Sequence, residues 1–125
     1  MKIGQLARRS GLSVDTIRYY ERIGLMPRAD RDRSNQRAYD ERALVWIAFV
    51  GRLKTTGMPI REMQRYAALR AAGAGTVAER RELLVRHREM VQRRLTELQD
   101  CLHVLDDKIA GYGDAATGMT DDDEG

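Results

Sequence analysis

The side chains best suited to chemistry stand near the start of one predicted helix. Thr16, Arg18 and Tyr19 follow Ser13, whose hydroxyl can cap that helix by accepting a backbone N–H that has no partner within the helix. A guanidinium such as that of Arg18 can donate two parallel hydrogen bonds to the edge of a guanine or to a phosphate. The hydroxyl of Tyr19 can reach a phosphate while its ring packs against a sugar. These residue types at the start of a helix predict contact with nucleic acid.

Two short helices and a tight turn are predicted to position these groups. Apolar residues at helical spacing predict the first helix over residues 3–9, and Gly11 can adopt the positive φ that ends it. The second helix is predicted over residues 14–23, with Ile17 on its core side. Tyr20 is open to two interpretations, a core aromatic or a second contact to the DNA backbone. Such a helix pair is typical of helix-turn-helix proteins, whose second helix enters the major groove.

The helical pattern stops between residues 25 and 40, where proline and clustered charges indicate turns. Residues 35–39 are predicted to form the return strand of a small basic hairpin, which is what a wing beside a helix-turn-helix looks like. Asp40 then caps a third helix that runs to about residue 56, and Pro59 opens a fourth helix. Small residues at 72–75 indicate a linker.

One long helix is predicted over residues 76–111. Its apolar residues recur every seven positions in two alternating sets, with Arg88 as the interruption. Such a helix could pack along its own domain, or it could pair with a second copy in a coiled coil. We favour a coiled-coil homodimer because a compact neighbour could not cover the whole apolar seam. The predicted dimerisation residues are Leu84, Val91, Leu95, Leu98, Leu102, Leu105 and Ile109.

Charge divides the chain in the same way as these elements. Residues 1–70 contain 15 basic and 7 acidic residues, whereas residues 71–125 contain 7 basic and 12 acidic ones. The net charge is therefore +8 in the first part and −5 in the second. A basic part favours contact with phosphates, which releases counterions and weakens as salt rises. The predicted organisation is a DNA-binding domain at 1–71, a linker at 72–75, a coiled-coil helix at 76–111 and an acidic, disordered tail at 112–125.

Composition argues against several other classes of protein. The 125 residues include one cysteine, Cys101, and two histidines, so the sequence predicts neither a disulfide framework nor a metal site. No apolar run is long enough for a membrane span. No nucleophile beside a base, paired carboxylates in a pocket or phosphate-binding glycine loop indicates an enzyme. We therefore predict a cytoplasmic protein that needs no cofactor and makes no contact with a membrane.

Several spaced motifs resemble those of the MerR family of bacterial transcription regulators. The resemblance covers residues 1–70 closely and the long helix in general plan. Because the motifs occur in the same order along the chain, the match is far more specific than one short pattern. The motifs are IGQLA at residues 3–7, GLS at 11–13, TIRYYE at 16–21, GLMP at 24–27 and NQRAY at 35–39.

This resemblance implies a mainly α-helical fold, with a winged helix-turn-helix followed by an antiparallel coiled coil that builds a homodimer. It implies that the dimer binds a dyad in double-stranded promoter DNA and distorts an overlong −35/−10 spacer, so that RNA polymerase can use the promoter. Tyr39 falls at the wing, where it could contact phosphate or equally anchor the wing to the core. The alternative is an effector-independent architectural or partner-binding protein built from the same elements. The predicted DNA-binding residues are Ser13, Thr16, Arg18, Tyr19, Tyr20, Arg37 and Tyr39.

The resemblance extends to a small subgroup that responds to aldehydes or other electrophiles, mainly through residues 39–50 and 73–76. That subgroup typically has a cysteine within the third helix, where this chain has Gly51 and Arg52. Cys101 would then have to supply an effector or redox response. The other interpretation of Cys101 is a small packing residue beside the coiled-coil seam. The effector class is therefore an electrophile or another small molecule.

Overall fold

The computed structural model describes residues 1–31, 33–34 and 37–116, and most of them lie in α-helices. This confirms the predicted mainly α-helical fold. The two short strands pair antiparallel, with Asp30 opposite Ala38. In chain order the elements are α1 (Ile3–Ser10), α2 (Val14–Arg22), β1 (Asp30–Arg31), β2 (Arg37–Ala38), α3 (Glu41–Thr55), α4 (Ile60–Ala72), a single 3-10 turn (Ala74–Thr76) and α5 (Val77–Ala116).

Local signals in the sequence set the ends of the first helices. Ser13 Oγ accepts a hydrogen bond from the backbone N–H of Thr16 at 3.0 Å. Asp40 Oδ1 accepts one from the backbone N–H of Arg42 at 2.9 Å. Gly11 ends α1 with a φ of 80°, a conformation that favours a residue without a Cβ. These contacts confirm both predicted caps and the predicted stop.

One hydrophobic core holds the N-terminal elements together. Leu6 of α1 and Ile17 of α2 have no exposed surface, and Val50 of α3 is 1% exposed. α1 packs against both α2 and α3, and α3 packs against α4. Full burial of an aliphatic side chain of this kind stabilises a fold by about 1.5–3 kcal/mol. The core therefore fixes which face of α2 points outwards.

Side chains of α3 and α4 hold the turn that follows α2. Trp46 Nε1 donates to the carbonyl oxygen of Leu25 at 2.7 Å. Gln64 Nε2 donates to the carbonyl oxygen of Ile23, also at 2.7 Å. The Trp46 ring stacks on that of Tyr66, with ring centroids 6.0 Å apart. Because a buried polar group is costly to leave unpaired, these bonds keep the chain between α2 and the hairpin in one conformation.

The chain divides into two compact units, of which the first comprises residues 1–87 and the second begins at Arg88. The division lies within α5, later than the predicted linker at 72–75. The reason is that the first turns of α5 belong to the N-terminal unit: Leu84 packs against its core, and His87 is buried with Nε2 2.7 Å from Thr56 Oγ1. Leu84, predicted as a dimerisation residue, thus has a role in packing within its own unit.

α5 is longer than predicted. It ends at Ala116, whereas the sequence predicts an end at residue 111. Gly111 and Gly113 each disfavour a helix by about 1 kcal/mol relative to alanine, yet both lie inside it. Residues 112–116, predicted as disordered tail, are therefore helical, and the rest of that predicted tail lies outside the described residues. Within the described part of the chain, no helix is long and apolar enough to cross a membrane.

Candidate nucleic-acid interface

The exposed face of α2 presents polar and charged side chains at helical spacing. Asp15, Arg18, Tyr19 and Arg22 are all exposed and lie three or four residues apart. Such positions share one side of a helix. The opposite side is apolar and is anchored by the fully buried Ile17. This division places the predicted contact residues Arg18 and Tyr19 together on a surface that a groove of DNA can reach.

The N-terminal end of α2 adds a second set of donors to this face. Ser13 is exposed, and its hydroxyl donates to Thr16 Oγ1 at 2.9 Å while it caps the helix. Thr16 itself is half-buried. Backbone N–H groups at a helix N-terminus attract anions, and phosphate is such an anion. Ser13 and Thr16 therefore lie where the sequence predicts them, at the N-terminal end of α2.

Of the cations on this face, Arg18 has the guanidinium that is most available to bind an anion. Among the described residues, it has no ion-pair partner. Arg22, one helical turn further on, lies with its guanidinium carbon 5.3 Å from the ring centroid of Tyr19. Sequence reasoning did not select Arg22, although its spacing of four residues from Arg18 was a usable signal. Arg18, Tyr19 and Arg22 form a contiguous cationic and aromatic surface.

Tyr20 is a correction to the predicted set of DNA contacts. Its side chain is 6% exposed and belongs to the hydrophobic core, whereas the adjacent Tyr19 is 39% exposed. Successive helical residues point about 100° apart, and this turn carries Tyr20 from the exposed face of Arg18 and Tyr19 onto the side of α2 that packs in the core. The core interpretation of Tyr20 replaces the backbone contact.

The structure also decides between the two interpretations of Tyr39 and removes it from the predicted DNA contacts. It is 5% exposed, and its hydroxyl donates to Glu21 Oε2 at 2.9 Å. The same carboxylate oxygen accepts from the backbone N–H of Ala29 at 3.3 Å. Tyr39 therefore anchors the hairpin to the last turn of α2, because its ring fills the core and its hydroxyl satisfies a buried carboxylate.

The paired strands β1 and β2 confirm the predicted hairpin beside the helix-turn-helix. Arg37 lies in β2, opposite Arg31 of β1. Arg28, Arg31 and Arg33 are exposed on the same segment. The hairpin is also held at its base, because the backbone N–H of Tyr39 donates to the carbonyl oxygen of Met1 at 2.7 Å. Residues 32, 35 and 36 of the predicted hairpin lie outside the described residues.

One cation near this surface is neutralised. Arg9 at the end of α1 donates two hydrogen bonds to the carboxylate of Glu41, at 2.7 and 3.0 Å. The hydrogen bond from Arg9 lowers the pKa of the Glu41 carboxyl, and the same contact raises the pKa of Arg9. This pair joins α1 to the start of α3, so Arg9 has less charge to offer a phosphate than Arg18 has.

The C-terminal unit presents the predicted seam as an exposed apolar stripe. Val91 is half-buried, and the other predicted members of this unit lie on the surface of the chain. Cys101 is exposed beside the stripe. Among the described residues, no group of His, Cys, Asp and Glu could hold a metal ion. The exposed members are Leu95 (47%), Leu98 (61%), Leu102 (58%), Leu105 (55%) and Ile109 (66%).

A cationic helix face, set by a helix-turn-helix and flanked by a basic hairpin, defines a winged helix-turn-helix DNA-binding protein. Comparison with protein families specifies the class further. Residues 1–69 match the model of the MerR HTH family regulatory protein, and residues 44–108 match that of MerR, DNA binding. The chain therefore belongs to the MerR family and is a DNA-binding transcriptional regulator.

Curated relatives support this assignment. The chain is 38% identical over 89 residues to the HTH-type transcriptional regulator AdhR of Bacillus subtilis, which covers 71% of this chain and 64% of that protein. It is 32% identical over 106 residues to an uncharacterized HTH-type transcriptional regulator of Haemophilus influenzae, covering 85% of this chain and 78% of that one. These relatives are regulators rather than enzymes.

Solved structures show the same fold. A MerR family transcriptional regulator from Listeria monocytogenes superposes with a TM-score of 0.84 at 38% identity, covering 90% of this chain and 86% of that chain. HiNmlR, a MerR family regulator lacking the sensor domain and bound to promoter DNA, superposes with a TM-score of 0.81 at 30% identity, covering 93% and 92%.

Proposed function

We propose that the protein binds a dyad in promoter DNA as a homodimer and switches transcription by distorting an overlong spacer between the −35 and −10 elements. The observation that carries the proposal is the exposed face of α2, on which Arg18 and Tyr19 stand beside Arg22. A dimer supplies two such helices, and their two-fold symmetry matches that of a dyad. RNA polymerase at the same promoter reads the change in DNA shape.

Each contact residue has a role that its chemistry supports. Arg18 donates in fork geometry to a guanine edge or a phosphate, and it is the main source of affinity on the face. Tyr19 and Arg22 contact the sugar-phosphate backbone on either side of it. Ser13 and Thr16 meet a phosphate at the start of α2, and Arg37 contacts the backbone from the hairpin.

The homodimer forms through α5 as an antiparallel coiled coil. Leu98, Leu102 and Leu105 are each more than half exposed in the single chain, although they lie on one side of a helix at heptad spacing. A second copy offers the same stripe and would remove these side chains from water. Leu84 lies before this stripe, so Leu84 packs in its own unit while the later positions make the dimer.

DNA distortion explains how such a small regulator can act. Bending or untwisting DNA costs energy that depends on the base sequence, so part of the specificity is indirect readout. The similarity to HiNmlR, which was solved bound to promoter DNA, supports promoter binding by this chain. We place the protein in the cytoplasm because bacterial promoters are there.

The switch responds to a small molecule or an electrophile. Cys101 is exposed, and it is the one cysteine in the sequence. An aldehyde that reacts with it would modify the surface beside the dimer stripe. The third helix of this chain has Gly51 and Arg52 in the stretch where the electrophile-responsive subgroup typically has a cysteine, so Cys101 carries this version of the proposal.

A chemical footprint on the DNA upstream of the protein's own gene tests the proposal. We expect protection of a dyad between the −35 and −10 elements, with hyper-reactive bases at its centre when an aldehyde is added. The Cys101→Ser variant should keep the protection and lose the aldehyde response. Protection that no effector changes would favour the architectural alternative, and the absence of protection at low salt would overturn the proposed target.

A further inference from the structure

An open groove in the N-terminal unit lies between the hairpin and helices α3 and α4. Its volume is about 480 Å³, which is within the size range of small-molecule sites. The groove is a mixed surface rather than an apolar cleft, because aromatic and cationic side chains both line it. We call it the hairpin groove, and its principal lining residues are Met26, Arg28, Ala29, Tyr39, Trp46 and Arg70.

The floor of the hairpin groove is aromatic, and the polar groups of its two rings already have hydrogen-bond partners. Tyr39 and Trp46 are 5% and 6% exposed. The hydroxyl of Tyr39 donates to Glu21, and the indole N–H of Trp46 donates to the carbonyl oxygen of Leu25. Both rings are therefore held in place as the buried base of the groove, and the accessible apolar surface beside them comes from Pro27, Ala29, Ala38 and Ala43. This preformed surface favours a compact apolar body.

The rim of the hairpin groove is cationic. Among the described residues, neither Arg28 nor Arg70 has an ion-pair partner. The guanidinium of Arg70 lies 4.4 Å from the centroid of the Trp46 ring, which holds it over the floor. Asp40 is the one carboxylate among the described residues that line the groove, and it lies 3.4 Å from the guanidinium of Arg42. The remaining positive charge favours an anion.

We propose that the hairpin groove binds a small carboxylate with a compact apolar body, and that this ligand is an effector of the regulator. A guanidinium donates two parallel hydrogen bonds to a carboxylate, while the floor takes the apolar part. Ala29 and Ala38 also line the groove and adjoin or belong to the hairpin strands. A bound ligand would thus act on the segment that carries Arg37. The effector role rests on the proposed DNA-binding switch, whereas the binding of the carboxylate in the groove does not depend on it.

The fluorescence of Trp46 provides a direct test, because it is the single tryptophan in the chain. Benzoate is the probe, with benzyl alcohol as the matched neutral compound and acetate as the anion without an apolar body. We expect saturable change in Trp46 emission with benzoate and none with the other two at the same concentrations. Calorimetry on the same solutions detects any binding that does not change the emission of Trp46.

Variants locate the site. Loss of a charge-assisted hydrogen bond should weaken benzoate binding roughly tenfold or more in Arg28→Gln. Arg65→Gln, an exposed arginine of α4 outside the lining, is the matched control and should bind benzoate as the wild type does. The proposal is overturned if neither fluorescence nor calorimetry detects benzoate, if benzyl alcohol binds equally well, or if Arg28→Gln binds unchanged.

The DNA footprint separates this inference from the proposed function. Benzoate that binds and changes the reactivity of bases in the protected dyad supports the effector role. Benzoate that binds and leaves the footprint unchanged overturns that role while the DNA-binding proposal stands. Lack of any protected dyad, with benzoate still bound, overturns the proposed promoter target and leaves the ligand site.

Discussion

The hydroxyl of Tyr39 lies 2.9 Å from Glu21 Oε2 and joins the base of the hairpin to the last turn of α2. Both residues are buried, at 5% and 7% exposure. The contact links the two parts of the proposed DNA-binding surface, the helix that presents Arg18 and the strand that contains Arg37. Tyr39, for which the sequence allowed either a phosphate contact or an anchor in the core, thus connects the hairpin to α2 inside the protein.

Replacing Tyr39 by phenylalanine should destabilise the N-terminal unit. The change removes one donor from a buried carboxylate and leaves the ring in place, so we expect the free energy of unfolding to fall by about 1–3 kcal/mol. Denaturant unfolding measures this loss. Tyr19→Phe, which removes a hydroxyl from an exposed ring, is the matched control. Equal stability of the two variants would show that the hydrogen bond from Tyr39 to Glu21 does not stabilise the fold.

Replacing Arg18 by alanine should weaken DNA binding without disturbing the fold or the dimer. Loss of one phosphate or base contact should lower affinity by about 1–3 kcal/mol and, for a phosphate, should reduce the salt slope by roughly one. Binding isotherms at several salt concentrations measure both quantities. Arg86→Ala in α5 is the control, because Arg86 is exposed and pairs with Glu82 in the same helix. A dissociated or unfolded Arg18→Ala variant would show that Arg18 is structural.

Replacing Leu98 by aspartate should dissociate the dimer, because it places an unpaired charge in the apolar seam. Such a charge is costly to bury, by several kcal/mol. Light scattering during size-exclusion chromatography measures the mass. Val104→Asp is the control, since Val104 is 68% exposed but lies outside the heptad positions. A monodisperse dimer for Leu98→Asp would disprove the proposed seam.

The pair between Arg9 and Glu41 should make stability depend on pH in one direction. The pKa of Glu41 is lowered in the folded protein, chiefly by the hydrogen bond from Arg9. The carboxylate therefore contributes stability above the ordinary glutamate pKa of roughly 4.3, and that contribution is lost as pH falls through the lower pKa of the folded state. Since the pair is exposed to solvent, we expect a small effect.

Unfolding of wild type and Glu41→Gln across the acid range measures that dependence. The difference between the two proteins should be present at neutral pH and should shrink as the carboxylate becomes protonated. Glu62→Gln is the matched control, because Glu62 also lies in the first turn of an α-helix. A difference that grows on acidification would have the wrong sign for this pair.

The sequence by itself determined the elements whose signals are local. Ser13, Asp40 and Gly11 act within four residues of their own positions, so their caps and the stop could be read directly. The heptad spacing of α5 and the motifs of the DNA-binding part also needed no contacts between distant residues. These features predicted the fold class and the surface of α2.

Tertiary structure decided what depends on contacts between residues far apart in sequence. Tyr19 and Tyr20 are chemically identical neighbours, and only packing against the core selects Tyr20 as the buried one. Tyr39 and Glu21 meet across 18 positions, and His87 reaches Thr56 across 31. Sequence spacing carries no information about such pairings, because burial depends on which elements pack together. The location of the buried tyrosines and the division within α5 therefore required the folded chain.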